Sequence, residues 1–384
     1  MNGHINSHEM KKNNRELVLK CIRGGKYSRA DIAIKTKMTR ASVTNIVNEL
    51  IENNMVKEGA VLSDGKVGRS STILSIDSSK GYVIGINISR IGVSTSVCDY
   101  DCNLLRESFI EFDVGKQRVR TLEYIERQLN GYFETFGKEK FLGIGISVPG
   151  PVNAKKGQIL KPTGFSDWWD FNFKNYFYGA YGLNVTVANN ATTFTVYEHV
   201  YGKAKDYSDF IGIVIDSGVG GCAIIDGEVY YGVSGIGLEI GHVCLDMNGE
   251  RCLCGSTGCS ELYIATQNIL KYAMSEDPAF TAWNIIVDAA ENGNPKACAV
   301  IQKQAKYLAN LLISVTNSWD MQCFYIFGDM CYKPEILHGY IKKMFNKSFL
   351  WHNENEISIF FADSVNTTSS VAAANLAWLE TESL

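Results

Sequence analysis

The sequence predicts an α/β chain of two related lobes, headed by a small α+β module of three helices and a hairpin. Three observations carry this. From Gly81 onward, runs typical of buried strands alternate with helical periodicity. Glycine-bearing hairpins beside acidic turns occur twice, near Asp99-Tyr100-Asp101 and between Asp216 and Gly227. Charge is split along the chain: residues 1–72 hold 13 Lys+Arg against 7 Asp+Glu, a net +6, and the remainder holds 24 against 34, a net −10. At 384 residues the chain exceeds what one core usually serves. A head over 1–76 and lobes over 77–190 and 191–364 are expected, with a C-terminal helix in 365–384 returning to the first lobe.

A hydrophobic content of 46% against 20% charged, with no apolar run of membrane-spanning length, fits a globular protein rather than a membrane-embedded one. The start, Met1-Asn2-Gly3-His4, has no apolar signal core, so a cytoplasmic, reducing location is expected. There, clustered cysteines point to metal more than to disulfides.

In the head, Leu17, Val18, Cys21 and Ile22 recur at helical spacing from Asn14 to the Gly24-Gly25 stop. Ser28, with Asp31 three residues on, caps a short helix through Ile32, Ala33 and Ile34. After a Lys37-Met38 turn, Thr39 caps a longer helix with an inner face of Val43, Ile46, Val47, Leu50 and Ile51. Its outer face offers Arg40, Ser42, Thr44, Asn45 and Asn48, one guanidinium among short hydrogen-bonding groups, as base edges in a major groove require. Strands over Val56–Val61 and Ile73–Ile76 flank an Asp64-Gly65 turn whose tip carries Lys66, Arg69 and Ser70. Together these describe a winged helix-turn-helix on double-stranded DNA. The candidate contacts are Ser28, Thr39, Arg40, Ser42, Thr44 and Asn45 on the helices, with Arg40 and Asn45 aimed at bases. Lys66 and Arg69 would meet phosphates, Arg69 within reach of a minor groove. A basic head on an acidic body implies that only the head meets a polyanion.

In the body, strands Tyr82–Ile88 and Gly92–Cys98 precede a third ending near Phe112, then a helix with Leu122, Ile125, Leu129 and Phe133. The buried strand Phe141–Val148 ends in Pro149-Gly150-Pro151. Val185–Val187 runs into Asn189-Asn190 and a helix holding Phe194 and Tyr197. The second lobe opens on Phe210–Ile215, the turn Asp216–Gly221 and the strand Cys222–Ile225. Helices around 266–274, 281–292 and 296–317 and the strand Cys323–Gly328 complete it, and a helix from Ser369 to Leu379 returns to the first lobe.

The densest chemistry lies between His242 and Glu261. His242, Cys252, Cys254 and Cys259 offer one imidazole and three thiolates, with Gly255 and Gly258 where the chain must fold back. Borderline-soft Zn²⁺ suits that set in a closed tetrahedron, a structural site. Cys244 stands close enough to compete as a ligand or to be an ordinary strand-end thiol. The remaining cysteines show no pairing logic and read as core fillers. Glu239 and Glu261 bracket the ligands and are free for another task.

Glu239-Ile240-Gly241-His242 followed by Cys252-x-Cys254-Gly255-x-x-Gly258-Cys259-x-Glu261 resembles the signature of the repressor, open reading frame and kinase (ROK) family, specifically its regulators with a winged head. The resemblance implies a two-lobed, actin-like (ribonuclease H-like) body whose kinase members phosphorylate hexoses with ATP in the cleft. It implies sugar contacts from Glu239, His242, Glu261, Asn189, Asn190 and the backbone at Gly150. A carboxylate suits this task because it accepts from two vicinal hydroxyls. His242 would use one ring nitrogen on zinc and leave the other for a hydroxyl. Glu239 and Glu261 would otherwise accept bonds from the metal-loop amides.

Departures from the kinase pattern decide the activity expected. Where kinase members place an aspartate that takes the proton from the attacking hydroxyl, this chain has Asn190, whose amide is not basic. The first phosphate loop reads Asn87-Ile88-Ser89-Arg90-Ile91, without its carboxylate and with side chains where a backbone must approach phosphate. Asp216 would repel a triphosphate. The usual sugar-loop asparagine is replaced by Asp167 or by Trp168, whose indole either stacks on a sugar or fills the core. The expectation is a regulator with no catalytic residue: a homodimer or dimer of dimers on a pseudo-palindromic operator, responding to a sugar or sugar phosphate. The competing readings are an ATP-dependent sugar kinase with an added head, and a constitutive DNA-binding protein.

Overall fold

The head and the two lobes are seen in a computed structural model that describes residues 7–62, 71–321, 323–348, 357–362 and 369–381. The head opens on α1, Ser7–Gly24, which begins seven residues before the expected start. Its first two turns carry no apolar stripe. Charge extends them instead: Lys11 and Arg15 lie 2.9 and 3.7 Å from the Glu49 carboxylate. The two-residue β1, Tyr27–Ser28, leads into α2, Arg29–Thr36, and Lys37 in left-handed conformation closes that helix. α3, Arg40–Glu52, buries Val43, Ile46, Val47 and Leu50. β2, Val56–Leu62, and β3, Ser71–Ile76, pair antiparallel, and β1 adds a third strand to β3. A two-residue strand leaves no alternation to read, so β1 is absent from the sequence prediction.

Each lobe is a five-stranded sheet of one plan. In the first, β4 (Tyr82–Ile88), β5 (Gly92–Asp99) and β6 (Leu104–Glu111) form an antiparallel meander. After α4, Arg118–Phe136, β7 (Phe141–Val148) joins parallel to β4. The small hairpin β8–β9 (Val152–Asn153 and Gln158–Ile159) and α5, Phe173–Tyr181, precede β10, Asn184–Asn189, parallel to β7. After α6, Asn190–Tyr201, the second lobe repeats the order with β11 (Phe210–Ile215), β12 (Val219–Ile225) and β13 (Glu228–Val229) antiparallel. It then adds α7 (Glu261–Ile264), α8 (Thr266–Glu276), α9 (Trp283–Glu291) and α10 (Pro295–Trp319). β14 (Cys323–Gly328) runs parallel to β11, and β15 (Ser358–Phe361), after α11 (Glu335–Ser348), runs parallel to β14. The strand orders are β10-β7-β4-β5-β6 and β13-β12-β11-β14-β15, the same topology twice.

Both sheets bury one face against their own helices. Ile84, Ile86, Ile125, Leu129, Phe173 and Phe177 fill the first core, and Ile213, Ile269, Ile286, Leu308, Leu312 and Ile341 the second. The other face of the first sheet takes α12, Ser369–Thr381. Its backbone sits directly on the strands: a β-carbon on Gly85 or Gly145 would run into the carbonyl oxygen of Ser370 or Ala373. α6 packs Ala191 and Phe194 on the second sheet and meets α12 through Val196 and Leu376, so the two helices lie side by side between the lobes. Among the described residues, no helix is long and apolar enough to cross a membrane.

Candidate functional site

Two candidate sites stand on this frame, one in the body and one on the head. In the body, β10 ends at Asn189, which caps α6: its Oδ1 accepts from Thr192 N–H at 2.8 Å. Asn189 is thereby buried with its amide partly committed. Asn190 opens the same helix, and its Oδ1 accepts from Ala191 N–H at 3.0 Å. Gly150, at the end of β7, faces Asn189: a β-carbon there would stand 3.4 Å from Asn189 Nδ2.

Across the cleft, the β11–β12 turn brings Asp216 to Gly218. Asp216 Oδ1 accepts from Gly218 N–H at 3.1 Å and from Ser217 Oγ at 3.2 Å. Burial pushes its carboxyl above the ordinary range and nearby Asp329 adds to this, while Arg90, reaching from the first lobe, opposes it. The next amide, Val219 N–H, donates to Glu261 Oε2 at 3.2 Å. Both turn amides are therefore filled by the chain's own carboxylates. Glu261, the first residue of α7, bonds to β12 rather than to a metal-loop amide. Glu239 precedes the short 3-10 turn Ile240–His242, and Ser260 Oγ ties that turn down by donating to Ile240 O at 2.8 Å. Burial raises the Glu239 carboxyl, with His242 opposing and Glu261 adding, so all three share one neighbourhood.

Behind them lies the knuckle. Leu245 N–H donates to Gly258 O at 2.8 Å, Gly258 N–H to Glu250 O at 2.8 Å, and Cys252 N–H to Ser256 O at 2.8 Å. These bonds fold residues 245–258 onto themselves. Gly258 has φ 69°, and a side chain there would strike the Asp246 carbonyl. The result gathers one ligand atom from each of His242, Cys252, Cys254 and Cys259 within 4.8 Å of one another. Cys254 and Cys259 sulfurs are 3.6 Å apart, and Cys252 Sγ is 3.8 Å from His242 Nδ1. A tetrahedron with metal–sulfur bonds of about 2.3 Å has sulfur–sulfur edges of roughly 3.8 Å, so the group is sized to hold a metal ion. Cys244 is exposed and bridges Cys259 by its backbone, outside this group.

Trp168 does not stack in the cleft. It is fully buried against Phe173 and its indole N–H donates to Val114 O at 2.9 Å, so of the two roles left open for it the structure takes the core. Asp167, beside it in the same 3-10 turn, is exposed.

On the head, Arg40 and Asn45 are exposed on α3, and Ser42 and Thr44 are half-buried. Thr39 is exposed and its hydroxyl accepts from Ser42 N–H at 3.1 Å. Ser28 differs from its sequence reading as a DNA contact. It is buried, its hydroxyl donates to Asp31 Oδ2 at 2.6 Å, and the capping box that predicts the helix also turns the side chain inward. Lys66 and Arg69 lie outside the described residues. The sequence reading passes over Arg29, which donates to Asn48 Oδ1 at 2.8 Å and lies 3.0 Å from Glu58 Oε1, tying α2 to α3 and the wing. Its position directly after a capping serine is the only signal in the sequence.

The profile of the ROK family matches residues 84–380, three quarters of the chain and all but the edges of both lobes. The chain belongs to the ROK family. Among relatives, it is 27% identical over 317 residues to the xylose repressor of Bacillus spizizenii, covering 82% of this chain and 81% of that protein. It is 25% identical over 384 residues to the DNA-binding transcriptional repressor Mlc of Escherichia coli, covering 97% and 94%. In fold, a ROK family transcriptional regulator described as a homolog of E. coli MLC superposes over 97% of both chains with a TM-score of 0.78 at 24% identity. A ROK family glucokinase from Streptomyces griseus, in complex with glucose and AMPPNP, is matched over 99% of its own length but 77% of this chain, with a TM-score of 0.66 at 23% identity. The ROK body is thus shared with kinases, and the head lies outside the matched family profile.

Proposed function

We propose that this chain is a sugar-responsive repressor of carbohydrate-utilisation genes, whose ROK body binds a sugar without phosphorylating it. The observation that carries this is the filled turn: the amides of Gly218 and Val219 already bond to Asp216 and Glu261. A phosphate cradle needs those N–H groups pointing outward, and carboxylates in their place repel a polyphosphate. Asn190, bonded to its own helix, has no basic atom to take a hydroxyl proton. The sugar-facing set remains: Glu239, His242, Glu261, Asn189, Asn190 and the backbone at Gly150. In Glu261, Oε2 is held by Val219 and Oε1 has no donor among the described residues, which suits it to a sugar hydroxyl.

The knuckle's four ligands fit Zn²⁺, which when bound would lock residues 245–258 structurally and fix the His242 ring through Nδ1. His242 Nε2 then remains for the sugar. On DNA, α3 would enter the major groove with Arg40 and Asn45 on bases, and Lys66 and Arg69 would meet phosphates. A dimer, or a dimer of dimers, would set half-sites one or a few helical turns apart. The relatives named as repressors support this reading over the kinase alternative.

The test is operator binding titrated with pentoses, hexoses and their phosphates, beside an ADP-release assay. The expected outcome is a sugar-dependent change in operator affinity of about 5- to 150-fold and no turnover. Turnover at ordinary kinase rates, or operator binding indifferent to every sugar that binds, overturns the proposal.

A further inference from the structure

The first helix of the head ends on the body, and it touches both lobes at equivalent places. Arg23 is buried, with its guanidinium carbon 3.4 Å from the ring centre of Trp378 on α12 and 5.1 Å from that of Tyr201 at the end of α6. Its Nη2 donates to the Tyr100 carbonyl at 3.4 Å and to Cys102 Sγ at 2.9 Å. Tyr100 and Cys102 form the tip between β5 and β6 of the first lobe. Three residues earlier on the same helix, Lys20 Nζ donates to the Gly227 carbonyl at 2.7 Å and lies 3.6 Å from the Glu228 carboxylate. Gly227 is the tip between β12 and β13 of the second lobe. Each tip joins the second and third strands of its sheet, so the two are counterparts in the repeated topology. A third tie, Lys35 to Asp206 at 2.9 Å, joins α2 to the segment after α6.

Lys20 and Arg23 are separated by about 4.5 Å of rise on a stiff helix. The spacing of the two hairpin tips is thereby matched to the helix, and a hydrogen bond stretched much past 3.5 Å is lost. The ties are unequal. Arg23 is desolvated among two aromatic rings and a carbonyl, whereas Lys20 pairs with a carboxylate whose side chain is 81% exposed.

We propose that α1 reads the angle between the lobes for the head: Arg23 anchors it to the first lobe and α12, and Lys20 is the positioning residue that yields when the second lobe turns. This rests on the proposed sugar response, since a ligand in the cleft supplies the turn. The head then follows the first lobe and loses its brace on the second.

The experiment uses the full chain with D-xylose, D-glucose and N-acetylglucosamine as probes and an operator duplex selected from a random library. Sugar binding is read by thermal shift, operator affinity by fluorescence anisotropy, and hydrogen exchange over residues 17–24, 99–102 and 226–229 in the same samples. For Lys20→Met, sugar binding is expected within about twofold of the wild type, while sugar-free operator affinity is expected at the sugar-bound wild-type value, about 5-fold or more from the sugar-free one. Its sugar-driven change in operator affinity is expected to fall below about twofold, against a wild-type coupling of ~5-fold or more. Lys20→Arg is expected to restore the response. Arg23→Gln removes the anchor and should weaken sugar-free operator binding as well; if it does not fold, Lys20→Met alone decides. A Lys20→Met protein with the wild-type response overturns the proposal. If the wild type binds sugar without any effect on DNA, the functional reading fails, and exchange still judges α1: no change at 226–229 on sugar binding overturns it too. If no probe binds, operator duplex alone must alter exchange at 226–229 by reciprocity, and its failure to do so overturns the proposal.

Discussion

Glu261 sits between the β11–β12 turn and the cysteine knuckle, its carboxylate held by Val219 N–H at 3.2 Å, and on the proposed reading its other oxygen meets a sugar hydroxyl. Glu261→Gln keeps the shape and removes the charge, so sugar binding is expected to weaken about 10- to 100-fold while metal content is unchanged. Thermal shift and metal analysis on one sample check both. His199 gives a residue-scale prediction of another kind. Burial and the nearby Lys20 lower its pKa from 6.5 to about 4. Between those values the unfolded chain binds a proton that the folded chain does not, so stability falls as pH drops from about 6.5 towards 4. Urea midpoints across that window should show His199→Gln with a flatter profile than the wild type. At this scale the sequence is legible where chemistry is dense: the His242, Cys252, Cys254 and Cys259 group is visible in its spacing alone. It is illegible where burial decides. Ser28 and Trp168 have the right atoms for DNA and sugar, but a capping box and an aromatic core claim them.

Among elements, α12 shows how a glycine in a strand records a partner far away in sequence. Gly85 and Gly145 leave room for a helix more than 220 residues on, and Gly145→Ala would force its methyl group into the Ala373 carbonyl. The expected loss is about 2–3 kcal/mol in urea unfolding, the scale of an overpacked core. The knuckle is the other element with a defined outcome. Cys254→Ser, or removal of metal by chelation, should loosen residues 245–258 and abolish the sugar response while the isolated head still binds DNA; a full response in metal-free protein contradicts this. Long, strongly patterned elements such as α4, α10 and β7 are readable from their periodicity. Elements absent from the sequence prediction are β1, β8, β9, β13, β15, α5, α7 and α11. α5 is nine residues with five aromatics and β15 only four residues, too short for either period to declare itself.

At the scale of the whole molecule, two sheets of one topology face each other across α6 and α12, and a head of net +6 over residues 1–72 rests on a body of net −10. With an acidic body repelled by DNA, attraction must come from the head, so operator affinity should depend steeply on salt. If two heads neutralise six phosphates, affinity is expected to fall about 10³-fold between 50 and 200 mM salt. A slope near zero would remove the head from the groove. The duplication is visible in the sequence as paired glycine hairpins, but the docking of the head is not, because Lys20 and Arg23 look like any basic residues on a helix until Gly227 and Trp378 are placed beside them.

The filled turn at Asp216 to Val219 also bears on ancestry. Restoring a proton acceptor with Asn190→Asp would not by itself return catalysis, because Asp216 and Glu261 would still occupy the amides a nucleotide needs. On the proposed reading, Glu261 could not be exchanged without weakening the sugar site. If the proposed function holds, one side chain would join the blocked nucleotide turn to the sugar site, and a return to catalysis would require rebuilding a loop rather than reversing a single exchange.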